Sequence, residues 1–532
     1  MIGREFEYEL LAAVAPLSGN ELAHALIELV DSELIFRRGT PPHATYTFKH
    51  ALVQDAAYAS LLRSKRQQLH ARIAVVLEEQ FPETAQTRPE LLGHHFAEGG
   101  LNQQAIAYLQ RAGERAIERS AYAEAIGHLT RGLELLQPLP EAPERVLQEL
   151  DLRIALGSAL MATRGYAGLE VEGTYLRARE LCQRAGEMPR LFPVLHGLYR
   201  FYHVRGELQA AREVGEQLLQ LAQSLRDPAL FVEAHRALGV PLFWLGEVKS
   251  ALAQLDQGIA AYEAQRHRSH ASVYGIDPGV VCLSYSALGL WHLGHTRRAL
   301  DRSHEALTLA RDLSHLHSLA LALVWAAWLR QFRREGLVAR EHADAAVALC
   351  AEQGFPLWMS MGTILRGWAL AGEGRGEEGL AQMRQGLADL RATGAGLWRP
   401  SFLALLAEAH GRTGTPEDGL GVLDEALAIA SKSGERFYEA ELHRLQGELL
   451  LVGRATNEPR AEKCFREALE IARRQEAKSL ELRAASSLAH LWIEQGRRAE
   501  ARDLLAPVYG WFTEGFETAD LKDAKALLDE LA

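Results

Sequence analysis

Residues 407–426 read AEAHGRTGTPEDGLGVLDEA, and the spacing of small residues in this stretch decides the fold. Ala407 is followed after seven positions by Gly414, after five more by Gly419, and after seven more by Ala426. Two helices that touch need residues without bulk at the contact, and a chain that turns between them needs a glycine. The stretch therefore predicts a helical hairpin that turns at Gly414.

The same spacing recurs along most of the chain. The other clear copies are Gly239, Gly246, Ala251, Gly258; Ala287, Gly294, Ala299, Ala306; Gly367, Gly374, Gly379, Gly386; and Ala489, Gly496, Ala501, Val508. Weaker copies include one around Gly336, and overlapping copies at Gly93 and Gly113 predict three successive helices. The pattern resembles the tetratricopeptide repeat. We therefore predict an all-α, tetratricopeptide-like right-handed superhelix of about ten hairpins over residues 79–532.

Composition limits the classes of function. The 532 residues carry a formal net charge of -11, whereas binding to nucleic-acid phosphates requires clustered Lys and Arg. The four cysteines have no metal-ligand spacing, and no apolar run approaches the roughly 20 residues that span a bilayer. We expect a cytoplasmic protein with reduced thiols and without a membrane or nucleic-acid partner.

The first 78 residues follow a different pattern, which predicts a small winged-helix domain. Ser18 can cap a helix, and Gly-Thr-Pro-Pro separates two strand-like runs. The predicted elements are helices over 5–14 and 18–30, strands over 34–38 and 45–48, and one long helix over 50–79 with Leu52, Ala56, Leu61 and Leu62 on its apolar side.

Part of this segment also carries a family resemblance. The run FKHALVQDAAY at 48–58, followed by Leu61-Leu62-Arg63 and Leu69-His70, looks like the winged-helix segment behind the nucleotide-binding domain of signal-transduction ATPases with numerous domains. In bacterial members a class III adenylate or guanylate cyclase, an ATPase and a tetratricopeptide tail share one chain. The resemblance implies a C-terminal sensor region of such a protein.

The chemistry of those relatives is not encoded in these residues. The dipeptide Gly-Lys is absent from the sequence, so no phosphate-binding loop of the form GxxxxGK[ST] is present. Histidine pairs such as His94-His95 and His292 with His295 lack companion ligands at a metal-binding spacing. We expect no enzyme activity, cofactor or metal in this chain, and catalytic domains upstream or on another chain.

Three functions remain open. The favoured one is a non-catalytic module that binds a protein or small effector and serves an ATPase- or cyclase-type regulator. The first alternative is a subunit or fragment of an adenylate or guanylate cyclase or ATPase. The second alternative is a fragment of a transcription activator of the maltose-regulator type, although the helix-turn-helix output domain of such proteins is absent from the C-terminal sequence. Basic residues at Arg63, Lys65, Arg66 and Arg72 are expected to lie on a solvated or intramolecular face.

Aromatic and arginine residues gather on the predicted first helices of the middle hairpins. First helices line the concave face in this type of repeat, where rigid rings and guanidinium groups suit a peptide or an anionic effector. Most of these rings are nevertheless expected to pack between hairpins. The candidate groove residues are Tyr199, Tyr202, Arg236, Trp325, Trp328, Trp358, Arg366, Trp398 and Arg399.

Overall fold

The computed structural model describes residues 2–119, 121–164, 168–267, 270–453 and 457–532. Its contacts divide the chain into two compact units, Met1–Arg164 with Gly173–Glu187, and Gly165–Glu172 with Met188–Ala532. The predicted boundary between residues 78 and 79 lies inside the first unit and stays a prediction. No helix within the described ranges is both long enough and apolar enough to cross a bilayer.

The first unit is mainly helical and contains one small sheet. Its elements are β1 Glu5–Glu7, α1 Tyr8–Val14, α2 Gly19–Asp31, β2 Ile35–Arg38, β3 Thr45–Phe48, α3 Ala51–Ser60, α4 Arg63–Gln80, α5 Pro82–Thr87, α6 Pro89–Glu98, α7 Asn102–Glu118, α8 Tyr122–Leu136, α9 Pro143–Arg164 and α10 Leu169–Ala185. The three successive helices predicted from Gly93 and Gly113 are α6, α7 and α8.

The sheet has the antiparallel order β1-β3-β2, with Phe6 opposite Tyr46 and Arg37 also opposite Tyr46. Ser18 caps α2 as predicted, because its hydroxyl accepts from the Glu21 amide and the Glu21 carboxylate accepts from the Ser18 amide. The predicted helix over 5–14 is wrong in its first turn. Glu5–Glu7 instead add an edge strand to the predicted hairpin.

The predicted long helix over 50–79 is also wrong, since α3 and α4 are separate helices. Leu61 and Leu62 between them have extended backbone with ψ of 137° and 145°. Because of this break, α3 does not share the packing of α4, and none of its residues is buried. Leu52 and Leu62, expected on an apolar packed side, are 80% and 76% exposed.

The second unit is a series of helical hairpins. Its helices are α11 Met188–Arg205, α12 Leu208–Leu225, α13 Pro228–Trp244, α14 Val248–Ala261, α15 Ala264–His267, α16 His270–Tyr274, α17 Pro278–His292, α18 Thr296–Asp312, α19 Leu316–Phe332, α20 Gly336–Gln353, α21 Pro356–Gly372, α22 Gly376–Ala392, α23 Arg399–Arg412, α24 Pro416–Ser433, α25 Glu439–Gly453, α26 Glu458–Arg474, α27 Lys478–Glu494, α28 Arg498–Tyr509 and α29 Ala519–Glu530.

The small-residue spacing marks the hairpins correctly. All five predicted turn glycines have positive φ, between 78° and 89°, in the left-handed region that glycine adopts without strain. At the contact between helices, a Cβ on Gly379 would lie 2.5 Å from the carbonyl oxygen of Gly367. The weaker copy at Gly336 was placed wrongly, because the turn residue there is Arg334 at φ 60° and Gly336 begins α20.

The two helices of a hairpin differ in burial. We call α11, α13, α17, α19, α21, α23, α25 and α27 the first helices, and their hairpin partners α12, α14, α18, α20, α22, α24, α26 and α28 the second helices. Every residue of the first helix α17 is buried, whereas the second helix α18 buries only one face. This first helix is therefore enclosed on all sides by other parts of the second unit.

That enclosure comes from contacts between hairpins far apart in sequence. The carbonyl oxygen of Val204 at the end of α11 accepts from the Gly396 amide at 2.9 Å, just before α23. The carbonyl oxygen of Trp244 at the end of α13 accepts from the Arg436 amide at 2.8 Å, just before α25. In each case the partner helix belongs to the fifth hairpin further along the chain, so the superhelix completes a turn in five hairpins and its turns touch.

Two more pairs of helices repeat this arrangement. The hydroxyl of Ser479 in α27 donates to the carbonyl oxygen of Trp291 in α17. Arg334, just after α19, pairs with Asp523 in α29 at 2.6 Å. Each contact satisfies carbonyls or charges at the end of a first helix, where an α-helix has no internal partners for its last carbonyl groups.

Candidate functional site

The predicted groove residues lie where expected in sequence but mostly in the interior. Tyr199, Arg236 and four tryptophans are buried, whereas Tyr202, Arg366 and Arg399 are half-buried. The Arg366 Nε donates to Gln382 at 2.7 Å, and the Arg399 Nη2 donates to Glu425 at 2.9 Å. Both arginines thus bond to second helices. They do not border the cavity that Arg236 lines.

The buried rings form an aromatic core between the touching turns. Trp328 stacks on Phe402 with ring centroids 4.6 Å apart, and Trp244 meets Phe437 edge to face at the same separation. Trp325 contacts Trp328 edge to face. Large aromatic side chains bury much area and gain a further ~1 kcal/mol per favourable pair. Trp328 therefore belongs to this aromatic core, and Trp325 packs against it.

Four of the predicted residues border one cavity of about 50 Å³ inside the second unit. First helices α11, α13, α17, α19 and α21 surround it, and the residue that precedes α23 completes its wall. The lining residues are Tyr199, Arg200, His203, Val204, Arg236, Val240, Ile276, Val281, Tyr285, Leu321, Leu357, Trp358 and Trp398. Two arginines face this space, and its lining contains no Asp or Glu.

A buried ion pair holds one of those arginines. Arg236 Nη2 lies 2.8 Å from Glu233 Oε2, on the same helix three residues apart, and both side chains are almost wholly buried. His196 and His270 approach the same carboxylate at 3.5 Å and 3.4 Å. Burial alone would raise the pKa of Glu233, but the Arg236 charge and the two imidazoles outweigh it and lower that pKa far below its usual value.

The histidines beside the cavity are neutral near pH 7. Burial, with the charges of Arg236 and Arg200, lowers the pKa of His203 to about 3. Burial also lowers the pKa of His196 to about 4, although Glu233 opposes the shift. The positive charge around the cavity therefore comes from the guanidinium groups of Arg236 and Arg200, and Glu233 pairs with that of Arg236.

Several buried polar atoms at the cavity have no hydrogen-bond partner among the described residues. Two of them are the donors Arg236 Nε and Trp358 Nε1, and the third is His203 Nδ1, which donates or accepts according to the tautomer of the ring. A buried N–H group without a partner costs about 1–3 kcal/mol. Donors left open in this way are satisfied when an acceptor enters the cavity.

Three polar residues at or beside the cavity, His196, Arg200 and His203, are not among the predicted groove residues. With Tyr199 they follow one another at spacings of three, one and three on α11, so the four share one helix face. A polar stripe on an otherwise apolar helix is the signal that could have found them. In the part of the chain that the structure describes, no cluster of three or more His, Cys, Asp or Glu side chains is grouped to hold a metal.

The hairpin register and the enclosed first helices define an all-α, tetratricopeptide-like helical-repeat protein. No model of a known family matches the sequence. An uncharacterized protein of Rhizobium meliloti (strain 1021) is 27% identical over 501 residues, which make up 93% of this chain and 48% of that relative. The chain therefore spans about half the length of the curated relative that it matches.

Solved structures with a similar helical arrangement include two proteins of low sequence identity. A Rap protein complexed with competence and sporulation factor gives a TM-score of 0.46 at 14% identity, covering 74% of this chain and 99% of that chain. Yeast Tom70 gives a TM-score of 0.34 at 12% identity, covering 86% of this chain and 95% of that chain.

Proposed function

We propose that the chain is a non-catalytic interaction module of a signalling protein. Its N-terminal segment docks onto an ATPase or nucleotidyl cyclase module, and its repeat unit binds an effector or a protein partner. The observation that carries the docking role is the uncovered apolar surface of α3 and the residues around it.

That surface is unusual for a water-exposed segment. Leu52 on α3, Leu62 just after it and Phe36 on β2 are 80%, 76% and 56% exposed. Large apolar side chains left exposed on one surface commonly mark a binding site. The run at 48–58 that resembles signalling ATPases covers most of α3, which supports a nucleotide-handling module as its partner. The relative has about as much chain again outside the match, enough to contain such a module.

The sheet and helices before α3 support a winged-helix-like docking domain that does not bind DNA. Its element order is β1-α1-α2-β2-β3. The helix before the wing, α2, contains Glu21, Glu28 and Asp31 but no Lys or Arg. Phosphate contacts depend on basic side chains, so this helix is poorly suited to a DNA groove. A mobility shift with sequence preference that survives about 150 mM salt would contradict this part of the proposal.

A binding experiment tests the docking role. The half of the Rhizobium meliloti relative outside the match is prepared as a separate polypeptide and titrated with this chain in a calorimeter. Leu52→Asp combined with Leu62→Asp is expected to weaken binding at least about tenfold, because both charges would be buried at the interface. Leu337→Asp is the matched control, since Leu337 is 59% exposed in the repeat unit. Equal weakening by the control, or no binding by the wild type, would refute the docking role.

A nucleotide assay separates the non-catalytic role from that of an enzyme subunit. Labelled ATP in equilibrium dialysis with this chain alone is expected to show no binding, because the sequence contains no phosphate-binding loop. Saturable ATP binding would favour the alternative in which this chain completes a cyclase or ATPase.

A further inference from the structure

We propose that the exposed face of α3 and the first turn of α4 together bind an acidic amphipathic helix of the partner protein. This inference names the chemistry of the partner and rests on the proposed docking role. It starts from the small and apolar side chains exposed on α3 and from the basic side chains at the start of α4.

One face of α3 is suited to close contact with another helix. Leu52, Ala56 and Ala59 follow one another at spacings of four and three, so they lie on the same side of α3, and all three are exposed. Packed helices lie about 8–10 Å apart, and the shorter distances require small side chains at the contact. The two alanines therefore leave room for a helix of the partner, and Leu52 supplies an apolar contact beside them.

Tyr58 holds the end of α3 against α4. Its hydroxyl oxygen lies 3.2 Å from His70 Nε2, and the Arg66 guanidinium group lies over its ring, 5.0 Å from the centroid. Arg66 and His70 are one turn apart on α4, so the end of α3 lies beside the first turns of α4. A helix that packs on α3 would therefore lie close to the side chains at the start of α4.

The start of α4 carries unpaired positive charge. Arg63, Lys65 and Arg66 occupy its first turn, and Arg72 follows seven residues after Lys65. Arg63, Lys65 and Arg72 are exposed and form no ion pair with the described residues. Asp55 is the only acidic residue in α3 and the first half of α4, although the whole chain has a net charge of -11. This surface therefore favours a partner with acidic side chains.

The position of these cations in α4 also favours an acidic partner. The N-terminal end of a helix is positive, so basic residues in its first turn weaken the helix and nearby carboxylates strengthen it. Phosphates of DNA or lipid suit the surface less well, because Asp55 is exposed on α3 and would repel them. A helix that lies in a membrane interface also presents a row of large apolar side chains, whereas Leu52 is the only one exposed on α3, which is described throughout.

Fluorescence anisotropy with two labelled peptides tests the inference on the full chain. Both peptides are stapled helices of about 18 residues with the same row of leucines, and the remaining positions carry either glutamate or lysine. The glutamate peptide is expected to bind with a Kd of roughly 1–100 µM, at least about tenfold more tightly than the lysine peptide. No saturable binding of the glutamate peptide up to about 500 µM protein, or equal binding of both peptides, would overturn the inference.

Charge-reversal variants locate the surface. Arg63→Glu combined with Lys65→Glu is expected to weaken binding of the glutamate peptide at least about tenfold. The same variant should slightly raise the Tm of the unbound protein, because acidic residues suit the first turn of α4, so misfolding would not explain weaker binding. Arg502→Glu combined with Lys522→Glu is the matched control, since both residues are exposed on helices of the repeat unit. Equal weakening in both variants would contradict the site.

Two competitors distinguish the possible sources of negative charge. Duplex DNA of about 30 base pairs, or vesicles with about 30% phosphatidylserine, is added to the bound glutamate peptide at about 150 mM NaCl. The peptide is expected to stay bound in the presence of either competitor. Displacement would overturn the inference and assign the surface to nucleic acid or to a membrane.

The calorimetric titration with the other half of the Rhizobium meliloti relative separates this inference from the docking role. Arg63→Glu combined with Lys65→Glu is expected to weaken that binding at least about tenfold. Binding that this variant leaves unchanged would overturn the inference and leave the docking role intact. A wild-type chain that binds the glutamate peptide but not that half would refute the docking role alone.

Discussion

The N-terminal segment exposes large apolar side chains, whereas the repeat unit buries charged ones. The segment around α3 leaves Leu52 and Leu62 in water. The repeat unit buries Glu233 and Arg236 in its interior, where a charge is costly unless it is paired. Both arrangements cost stability, because a leucine is more stable when buried and a charged group is more stable in water. We relate this difference to the two proposed roles, in which the first region docks onto a partner and the second binds an effector.

The largest expected effect concerns the contact between turns. Gly396→Ala would place a Cβ 2.1 Å from the carbonyl oxygen of Arg205, a backbone atom that cannot rotate away. We expect destabilisation of at least about 3 kcal/mol, at the upper end of overpacking effects. Chemical denaturation measures it. Gly421→Ala, in open space on α24, is the control and should stabilise by about 0.5–1 kcal/mol. A stable Gly396→Ala variant would show that the turns do not touch.

A second prediction concerns Glu435, which is buried just before α25 at the same kind of contact. Burial raises the pKa of this carboxyl to about 8, although the Trp398 amide donates to it at 3.2 Å. Between about pH 4.5 and 8 the folded protein keeps a proton that the unfolded chain has released. The stability of the wild type should therefore fall as pH rises through this window.

Glu435→Gln removes that pH dependence. The variant should be more stable than the wild type by roughly 2–4 kcal/mol at pH 8, and similar to it at pH 4. Urea denaturation across this range gives the difference. A constant difference between the two proteins at every pH would contradict a buried neutral carboxyl.

A smaller effect is expected inside one hairpin. Ala426 is fully buried on α24, in the hairpin that turns at Gly414. Ala426→Trp should cost about 1–3 kcal/mol, because the helices cannot separate to make room. Calorimetric melting measures the loss. A melting curve equal to that of the wild type would mean that the small-residue register does not describe the helix contact.

The smallest effect belongs to the exposed segment. Leu52→Ser combined with Leu62→Ser should change the free energy of unfolding by no more than about 0.5 kcal/mol, because neither side chain is packed. Binding of a hydrophobic dye should decrease at the same time. A loss of stability similar to that of Ala426→Trp would show that these leucines belong to a folded core.

The hairpins could be predicted because their signal is local. Each depends on a few small residues within about 20 positions, and the five turn glycines all adopt the predicted conformation. The hairpin assigned to Gly336 also has the spacing of seven, five and seven, at Ala327, Arg334, Ala339 and Ala346. The pattern does not identify this turn, because an arginine instead of a glycine occupies the left-handed position.

The interior could not be predicted in the same way. The contact between Val204 and Gly396 joins residues nearly 200 positions apart, and no short pattern encodes the pitch that brings them together. Trp325 and Trp328 therefore have the sequence pattern of groove residues, although both are buried. The polar stripe from His196 to His203 on α11 is visible in the sequence. Which groups it contacts depends on the neighbouring turns of the superhelix, which the sequence pattern does not reveal.

Contacts between turns change the kind of cooperativity available to the repeat unit. A solenoid whose repeats touch only their neighbours behaves as a one-dimensional array, in which an added or lost repeat shortens or lengthens the molecule and little else. In this unit a hairpin also contacts the fifth hairpin before or after it, as in a lattice wrapped on a cylinder. Removal of one hairpin would put the later contacts out of register together. The contacts between turns therefore constrain the number of hairpins in the repeat unit. A solenoid without such contacts has no such constraint.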